Sequence, residues 1–506
     1  MGLYDFSFYD VIERCALCFG NRPAWYEVDD GRTVTFSEAK TLVDRLAAGL
    51  QRIGLKKGDR IGILGKNSLE YFLLYGAAAA TGVIVLPINW RLSADEVVGN
   101  LSDCEPSVLF VDEAFQELVE SSRAELSSIR ACYNLKDETG RYSAFQDLMT
   151  GSDGFSPVEV KTDDGFVIIH TAAVEGKPRG ALLSHGNICC VNLHWNYAFQ
   201  MVPEDVHLNL LPLFHIGGLS MATMAFHAGA LNVNMSKFDA PGALDLIEAK
   251  GVSLFFDFSP ILGSILDEAE KTHRDLSSLR LVVGLEAPEV IERYQQVTGG
   301  DFFVMYGQTE TSCLVSCAKY NDRPGSAGKP IPLAQVRLVD ESDRPVDPGQ
   351  VGEITLRGPM VFRGYWNLTE ETKQTFRGGW HHTGDTGRFD ADGYLFYAGR
   401  KAEKELIKPG GENVYPAEVE KVILEHPAVE KTVVFGVPDP KWKEGIKAVC
   451  VLRKRHSLQP QELIDFVGAR IARYKKPRYV EIVADLPETE DGQVDRAKVK
   501  EMYTPQ

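Results

Sequence analysis

The sequence predicts an α/β protein: a large N-terminal domain of α/β subdomains with parallel-rich sheets and a small β subdomain, followed by a small α+β C-terminal domain. Short apolar runs alternate with helical stretches between residues 35 and 111, and this rhythm returns over 166–304. Such alternation is typical of βαβ units, which build parallel sheets. Between 325 and 397 alternating segments such as Gln335–Val339 and 353–356 stand between Pro, Gly and Asp turns, which predicts antiparallel strands.

The first βαβ units can be placed element by element. Thr35 and Glu38 have the spacing of a capping box and predict the start of a helix. Gly54 predicts the end of that helix, and Arg60–Leu64 has the apolar character of a buried strand. The next four elements are predicted as helix, strand, helix and strand over 70–80, 83–86, 94–101 and 107–111.

A domain boundary is predicted at Arg400, which gives domains of residues 1–399 and 400–506. The C-terminal part mixes a helix at 417–425, a strand at 431–436 and a helix at 462–472. It has its own apolar core candidates, which are Val419, Val422, Ile423, Val433, Val434, Leu463 and Phe466. A region with its own core is expected to form a separate domain.

Composition and charge limit the classes of partner. A net charge of -17 argues against nucleic acid as the main partner, because phosphate binders carry a basic face. The apolar stretch 71–88 contains Gly76 and Pro87 and changes from helical to strand character, so it is predicted as buried core rather than a membrane span. Nine scattered cysteines, including the lone Cys15 and Cys18 pair, and an N-terminus without a signal segment predict reduced thiols and a cytoplasmic protein.

The stretch 380–416 carries the most chemical information. Asp385 follows a Thr-Gly pair and offers two acceptor oxygens to two vicinal hydroxyls. Gly399 and Arg400 form a charged two-residue pivot, and Gly410 and Gly411 permit close approach of the backbone to a ligand. Together these residues predict a nucleotide site beside a moving joint, and therefore an enzyme with two steps.

Several motifs resemble the adenylate-forming superfamily, which includes AMP-forming acyl-CoA synthetases, firefly luciferase and peptide-synthetase adenylation domains. The likeness runs in the family's order over residues 22–503. The motifs that carry it are Lys57-Gly58-Asp59-Arg60, Pro87-Ile88-Asn89-Trp90-Arg91-Leu92, Leu211-Pro212-Leu213-Phe214-His215, Tyr306-Gly307-Gln308-Thr309-Glu310, Gly328-Lys329-Pro330, Val351-Gly352-Glu353, Gly364-Tyr365-Trp366, Thr383-Gly384-Asp385, Gly399-Arg400 and Gly410 to Pro416.

The resemblance implies two half-reactions and a mobile C-terminal domain over a cleft. ATP and a carboxylic acid give acyl-AMP and pyrophosphate, and a thiol, usually CoA, then displaces AMP. ATP/AMP, Mg²⁺ and CoA are thus the expected cofactors and substrates. The C-terminal domain is expected to rotate between the two steps.

The resemblance also implies roles for individual residues. Asp385 would bind both ribose hydroxyls, Arg400 would contact ribose or phosphate, and Tyr306 would stack on adenine. Thr309 would touch the α-phosphate, and Glu310 would hold Mg²⁺, a hard cation that prefers carboxylate oxygen. His215 would border the acyl pocket near the carboxylate, and Lys408 and Gln493 join the catalytic set. Further cofactor-binding candidates are Thr171, Gly176, Lys177, Gly180, Gly284, Glu286, Ala287, Pro288, Gly307, Gln308, Gly410, Gly411 and Glu412.

The chain departs from the family pattern in two places that handle phosphate. The phosphate loop reads Thr171-Ala172-Ala173-Val174-Glu175-Gly176-Lys177-Pro178-Arg179-Gly180, so three hydroxyls and the first glycine are missing and a glutamate is present. Gln493 stands where the family has a lysine that bridges the carboxylate and the α-phosphate. Loss of one such electrostatic contact costs about 3 kcal/mol. These departures predict slow adenylation, or adenylation assisted by another cation such as Lys408. The joint is also two residues longer than in relatives, with the pivot expected at 401–405 and Lys404 at its centre.

The expected substrate is an apolar monocarboxylic acid, aliphatic or aromatic. The segment 214–232, which would form the acyl pocket, has no Arg or Lys to bind a second carboxylate. Gly217 and Gly218 suggest room for a chain or ring, and Phe255, Phe256 and Phe258 would add an aromatic wall. CoA phosphates could meet a basic group, which consists of Arg473, Lys475, Lys476 and Arg478, although a plain surface patch explains that group equally well.

Two alternatives to an acyl-CoA synthetase stay open at this point. One is an adenylating enzyme that loads a carrier-protein phosphopantetheine. The other is a degenerate, non-catalytic binder of AMP or acyl-CoA, which the altered phosphate loop and Gln493 would favour. Retention of four residues argues against the binder, because a binder needs neither a metal ligand nor a pivot; they are Glu310, Asp385, Arg400 and Lys408. Both monomer and homodimer are compatible with the sequence.

Overall fold

The structure, a computed structural model, describes residues 2–136, 140–151, 154–156, 158–171, 178–400, 406–409, 412, 414–440, 442–489 and 494–504. The chain divides into two compact units. The first comprises Met1–Trp90, Asn100–His170 and Gly180–Ala398, and the second comprises Arg91–Gly99, Thr171–Arg179 and Gly399–Gln506. The domain ranges 1–399 and 400–506 therefore stay a prediction, since the second unit also takes in two earlier segments.

The helices occupy much of the chain between the strands. In chain order they are α1 (Phe8–Phe19), α2 (Phe36–Arg52), α3 (Leu69–Thr81), α4 (Ala94–Cys104), α5 (Gln116–Ser121), α6 (Phe145–Met149), α7 (His185–Phe199), α8 (Ile216–Ala228), α9 (Ala240–Lys250), α10 (Ile261–Thr272), α11 (Pro288–Thr298), α12 (Thr369–Thr375), α13 (Pro416–Leu424), α14 (Pro460–Gly468) and α15 (Arg496–Tyr503).

The strands are short, as is usual for α/β proteins. They are β1 (Pro23–Glu27), β2 (Thr33–Thr35), β3 (Arg60–Leu64), β4 (Ile84–Ile88), β5 (Val108–Val111), β6 (Ala131–Asn134), β7 (Gly165–Thr171), β8 (Arg179–Ser184), β9 (Val206–Asn209), β10 (Leu231–Asn234), β11 (Leu254–Phe258), β12 (Leu281–Leu285), β13 (Asp301–Tyr306), β14 (Ser316–Lys319), β15 (Lys329–Pro330), β16 (Gln335–Val339), β17 (Gly352–Arg357), β18 (Gly364–Tyr365), β19 (His381–Phe389), β20 (Leu395–Arg400), β21 (Val429–Asp439), β22 (Lys443–Leu452) and β23 (Tyr479–Val483).

Within the described part of the chain, three sheets precede the C-terminal strands. A nine-stranded sheet has the order β15-β14-β13-β12-β11-β9-β10-β1-β2, and a seven-stranded sheet has the order β18-β8-β7-β4-β3-β5-β6. Their central pairs are parallel, for example β3 with β4 and β5, and β12 with β11 and β13. A four-stranded sheet, β16-β17-β19-β20, has antiparallel pairs. The predicted parallel-rich sheets and small β subdomain are thus confirmed.

Local sequence signals explain the elements of the first βαβ units. Thr35 caps α2 in a capping box with Glu38, as its spacing predicts. The predicted strand Arg60–Leu64 is β3. Every residue of α3 is buried, and the stretch 71–88 lies in the core of the first unit, as predicted. No described helix is both long and apolar enough to cross a membrane.

The core of the first unit lies on both faces of the nine-stranded sheet. Alternate residues of β11 point to opposite faces: Leu254 and Phe256 join one apolar cluster, whereas Phe255 joins the other. Trp25 stacks on Phe72 with ring centroids 4.8 Å apart in the larger cluster. Burial on both faces is typical of parallel sheets, and it keeps the ends of the strands in fixed positions.

The second unit contains a three-stranded sheet, β21-β22-β23, and the helices α13, α14 and α15. Its predicted core residues from Val419 to Leu463 are buried, and Phe466 is partly buried against them. The predicted helices and strand exist here with ends shifted by a few residues, and the predicted helix at 462–472 ends earlier, at Gly468. Helix ends are weakly encoded, so shifts of this size are expected.

Candidate active site

The predicted ribose-binding acid, Asp385, is a buried residue of β19 with 1% of its surface exposed. Tyr306 donates its hydroxyl to Asp385 Oδ2 at 2.8 Å, and Gln308 Nε2 donates to the same oxygen at 2.5 Å. Tyr397 Oη lies 3.4 Å from Asp385 Oδ1. A buried carboxylate requires such hydrogen bonds to offset the loss of water. The structure therefore brings together three residues that the sequence singled out, Asp385, Tyr306 and Gln308.

The loop after β13 is shaped by Gly307. A Cβ atom there would lie 1.8 Å from the backbone oxygen of Cys313, so a side chain cannot be accommodated. Ser312 and Cys313 have φ angles of 54° and 89°, in the left-handed region that residues other than glycine rarely adopt. The Cys313 N–H donates to the Gln308 carbonyl at 2.9 Å and closes the loop. Strain of this kind persists where the surrounding structure enforces it, which is common at functional sites.

Glu310, the predicted metal ligand, lies inside this loop. Glu310 and Thr309 are each 9% exposed. Tyr365 of β18 donates its hydroxyl to Glu310 Oε1 at 2.9 Å, and the Phe362 N–H donates to the Glu310 carbonyl at 2.9 Å. A carboxylate oxygen is the type of ligand that Mg²⁺ prefers, so the donor at this position fits the ion. Tyr365 holds the Glu310 carboxylate in place, and Phe362 holds the Glu310 backbone.

Four further predicted residues lie where β12 ends and α11 begins. Gly284 pairs with Asp257 of β11, and a Cβ atom on Gly284 would lie 2.0 Å from the Asp257 carbonyl oxygen. Glu286 Oε1 accepts a hydrogen bond from the Ala287 N–H at 2.7 Å, and Pro288 begins α11. In open α/β sheets, ligands bind outside the carboxyl ends of the parallel strands. The position of these residues agrees with that rule.

His215 caps the start of α8. Its Nδ1 accepts a hydrogen bond from the Gly217 N–H at 3.1 Å, so in the neutral ring the proton is on Nε2. The His215 ring meets Phe258 edge to face at 6.5 Å, and Phe258 stacks on Phe256 at 5.1 Å. A histidine and two aromatic rings therefore form one continuous wall.

Two expectations about the acyl pocket are wrong. Phe255 does not join this wall, because the strand alternation turns it to the opposite face of the sheet. Gly218 leaves no room for a substrate, since a Cβ atom there would lie 2.2 Å from the Pro212 carbonyl oxygen. The glycine is required for close backbone packing. A Cβ atom on Gly217 would lie 3.2–3.5 Å from side-chain atoms of Leu211, His215 and Phe256, which is tight but would need only small shifts of those side chains.

The expectation that a basic group of residues meets CoA or forms a surface patch is also partly wrong. Lys475 is buried, and its Nζ lies 2.6 Å from Glu96 Oε1 and 2.6 Å from Glu418 Oε2. Arg478 Nη1 lies 3.4 Å from Asp439 Oδ2. The charge of Lys475 is compensated inside the second unit, so this lysine is neither a phosphate ligand nor part of a surface patch.

The remaining predicted residues fall into two sets. In the first set, Gly180 lies in β8 of the first unit, and four residues lie in the second unit. There Thr171 Oγ1 donates to the Arg179 carbonyl at 3.3 Å, and Arg400 Nη1 donates to Tyr415 Oη at 3.1 Å. The Lys408 N–H donates to Glu444 at 2.7 Å. Glu412 forms an ion pair with Arg91. The second set lies outside the described residues: Glu175, Gly176, Lys177, the pivot 401–405 with Lys404, Gly410, Gly411 and Gln493.

Sequence reasoning missed three residues of the site. Glu353 and Tyr365 were recognised as motif positions without a role, and Tyr397 was not noticed. Glu353 Oε1 accepts a hydrogen bond from the Gly384 N–H at 3.0 Å, next to Asp385. A motif match gave the signal for Glu353 and Tyr365, whereas Tyr397 is 45% exposed and has no local signal.

Known proteins resemble this chain over nearly its whole length. Residues 12–366 match the family described as "AMP-binding enzyme", and residues 418–493 match "AMP-binding enzyme C-terminal domain". An indoleacetate–CoA ligase of Aromatoleum aromaticum is 34% identical over 93% of each chain. A feruloyl-CoA synthase of an Amycolatopsis species is 34% identical over 94% of each chain.

A solved structure resembles this fold as well. The anthranilate CoA ligase AuaEII, in complex with anthranoyl-AMP, superposes with a TM-score of 0.75 at 27% identity. The match covers 100% of this chain and 98% of that chain. An acyl adenylate of an aromatic acid is therefore bound by a protein with the same architecture.

Proposed function

This chain belongs to the AMP-binding enzyme family, and from that premise we propose that it is an AMP-forming acid–thiol ligase that makes acyl-CoA. The acid would first react with ATP to give acyl-AMP and would then be transferred to CoA. The observation that carries the proposal is the buried Asp385 carboxylate, held by Tyr306 and Gln308 of the Tyr306–Glu310 motif. A carboxylate in this setting is suited to accept both hydroxyls of a ribose.

The chemistry of the first step explains which groups are needed. A carboxylate oxygen of the acid attacks the α-phosphorus of ATP, and pyrophosphate leaves with the electron pair of the broken P–O bond. In the second step the CoA sulfur attacks the acyl carbon, its proton is lost to solvent or base, and AMP leaves. Asp385 would hold the ribose through both steps, which fixes the position of the reacting phosphorus.

The metal site fits the same proposal. Glu310 offers an almost buried carboxylate next to Thr309, and Tyr365 orients that carboxylate by a hydrogen bond. Mg²⁺, when bound, neutralises charge on the phosphate oxygens. Thr309 would donate its hydroxyl to the α-phosphate. Glu286, Ala287 and Gly284 at the end of β12 would border the nucleotide, and the roles of Arg400, Lys408 and Glu412 stay predictions from the motifs.

We further propose an apolar monocarboxylic acid as the substrate, with an aromatic ring as the first choice. The partly exposed His215 and Phe258, which pack in a row with the buried Phe256, present aromatic surface that a ring can stack on or meet edge to face. The relatives act on indoleacetate and ferulate, and the AuaEII structure binds anthranoyl-AMP. All three acids contain a ring. The enzyme would act in the cytoplasm.

Acid-dependent exchange of labelled pyrophosphate into ATP tests the proposal. The panel contains indoleacetate, ferulate, anthranilate and a long-chain fatty acid, and each acid is tested with the parent and with Gln493→Lys. We expect slow exchange in the parent and at least about ten-fold faster exchange in the variant, because a cation at the α-phosphate is worth roughly a hundred-fold in rate. A parent and variant that both bind AMP but show no exchange would instead identify a non-catalytic binder. An equal rate in both proteins would mean that another cation, for which Lys408 is the candidate, already performs the task.

A further inference from the structure

The strand that presents Asp385 is interrupted by a bulge that includes that residue. Glu353 of β17 pairs with Thr386 of β19, and Thr355 pairs with His382. One residue of β17, Ile354, therefore faces three residues of β19, which are 383–385. A bulge of this kind changes the direction in which a side chain points, and it is common next to active sites.

Two adjacent residues of β17 fix the bulge. Glu353 Oε1 accepts a hydrogen bond from the Gly384 N–H at 3.0 Å. Thr383 Oγ1 donates to the Ile354 carbonyl at 2.7 Å and accepts from the Asp385 N–H at 3.1 Å. Gly384 has a φ angle of 73°, so the backbone turns there into the left-handed region. The orientation of Asp385 therefore depends on two anchors, and the charged one is Glu353.

The Glu353 carboxylate is itself held on its other oxygen. The residue is 4% exposed, His382 Nδ1 lies 3.1 Å from Oε2, and Arg377 Nη2 lies 3.3 Å from Oε2. Arg377 also contacts both oxygens of Asp343, at 3.0 and 3.1 Å. Each oxygen of Glu353 thus has its own function: Oε2 meets the cation and the histidine, and Oε1 is directed to the Gly384 N–H.

The same side chains could be considered a metal site, because ligand atoms of Asp343, Glu353 and His382 lie within 4.8 Å of one another. The guanidinium of Arg377 already contacts both carboxylates at this position. A second cation would be repelled by it. The arrangement is therefore a partly buried ion-pair network beside the bulge, with Arg377 as its own cation.

We propose that Glu353 is a positioning residue for Asp385: it holds the bulge through the Gly384 N–H and so sets the direction of the carboxylate that grips the ribose. This inference rests on the proposed function, because it assumes that Asp385 binds ribose hydroxyls. It predicts that a change at Glu353 weakens recognition of those hydroxyls while the rest of the nucleotide is still recognised. A purely structural role would instead weaken all nucleotides alike.

The test compares equilibrium binding of AMP with binding of 2′,3′-dideoxy-AMP, which lacks both hydroxyls, by titration calorimetry. The variants are Glu353→Met, which removes the acceptor at similar volume, and Glu353→Gln, which keeps one carbonyl oxygen. Asp343→Asn is the matched control, since it alters a carboxylate on Arg377 without touching the Gly384 hydrogen bond. The parent should prefer AMP by about a hundred-fold, as expected for two hydrogen bonds to a charged group.

In Glu353→Met the preference for AMP over 2′,3′-dideoxy-AMP should fall to about ten-fold or less, because AMP alone binds more weakly. In Glu353→Gln this preference should fall by about three-fold. In Asp343→Asn it should equal that of the parent. An unchanged preference in Glu353→Met, or an equal loss for both nucleotides, would overturn the inference and leave the ligase proposal intact. If Glu353→Met does not unfold cooperatively, Glu353→Gln is used instead. An unchanged ratio of AMP affinity to 2′,3′-dideoxy-AMP affinity in Glu353→Gln then overturns the inference. A parent without any preference for AMP would refute both the ribose assignment and this inference.

Discussion

Tyr365→Phe is the sharpest single test of the proposed metal site. The change removes only the hydroxyl that donates to Glu310 Oε1 at 2.9 Å. The ring itself remains packed edge to face against Phe362, at 4.9 Å between centroids, so no cavity is created. Tyr365 is 6% exposed and Glu310 is 9% exposed, so water cannot simply replace the lost donor. The variant therefore removes the hydrogen bond from Tyr365 to the Glu310 carboxylate without removing the ring.

The size of the effect follows from that bond. A hydrogen bond to a charged group contributes about 1.5–3 kcal/mol, which corresponds to roughly 10- to 150-fold in an equilibrium constant. Loss of a residue that orients a metal ligand costs about 10- to 100-fold in metal affinity or activity. We therefore expect the Mg²⁺ concentration for half-maximal activity to rise about ten-fold, and the free energy of unfolding to fall by about 1.5 kcal/mol.

The measurement is pyrophosphate exchange at varied Mg²⁺ with saturating acid, together with urea unfolding of the same proteins. Tyr397→Phe is the control, because it also removes a tyrosine hydroxyl from the first unit, but that hydroxyl lies near Asp385 rather than Glu310. The control should change the KM for ATP more than the Mg²⁺ requirement. If Tyr365→Phe left the Mg²⁺ requirement unchanged, or if both variants shifted it equally, Glu310 would not be the metal ligand that Tyr365 orients.

Two further predictions concern stability. Burial raises the pKa of Glu27 from 4.5 to about 7. Between pH 4.5 and 7 the folded protein therefore binds more protons than the unfolded chain. The free energy of unfolding should fall by at most about 3 kcal/mol as the pH rises through this range. Relative to the parent, Glu27→Gln should therefore gain stability between pH 5 and 8 in urea titrations, and a constant difference would contradict the shifted pKa. Lys475→Met should lower the unfolding free energy of the second unit by about 3–5 kcal/mol, because Glu96 and Glu418 would be left buried without their cation. The control Lys475→Arg should lose less than half of that in thermal unfolding, and an equal loss would indicate a packing effect.

Predictions that depend on local patterns were the most accurate. The capping box of Thr35 and Glu38 and the strand Arg60–Leu64 agree with the structure because caps and apolar runs act over a few neighbouring residues. The prediction about Phe255 failed for a physical reason. In a parallel sheet with both faces buried, apolar residues occur in succession, and the pattern does not reveal which face carries the ligand.

Interactions between distant parts of the chain could not be predicted from local patterns. Lys475 belongs to a basic run and was expected at a surface, but its partner Glu96 is 379 positions away in the sequence. The bulge that contains Asp385 likewise depends on Glu353 and Arg377, 24 positions apart, and on the register of two strands. The Ser312–Cys313 turn adopts left-handed angles that neither residue type favours, so only the enclosing structure can impose it.

The partners of three acids indicate which of them meets a ligand. Asp385 and Glu310 receive hydrogen bonds from uncharged groups, the Tyr306 hydroxyl and the Gln308 amide on one and the Tyr365 hydroxyl on the other. Such donors stabilise a buried carboxylate without cancelling its charge, so it can still attract a cation or a hydroxyl. Glu353, in contrast, forms an ion pair with Arg377, whose guanidinium it shares with Asp343. A carboxylate that meets a guanidinium on one oxygen can still fix a backbone N–H with the other, so we assign positioning to Glu353. Ligand contact stays proposed for Asp385 and Glu310, which belong to the Thr383–Asp385 and Tyr306–Glu310 motifs.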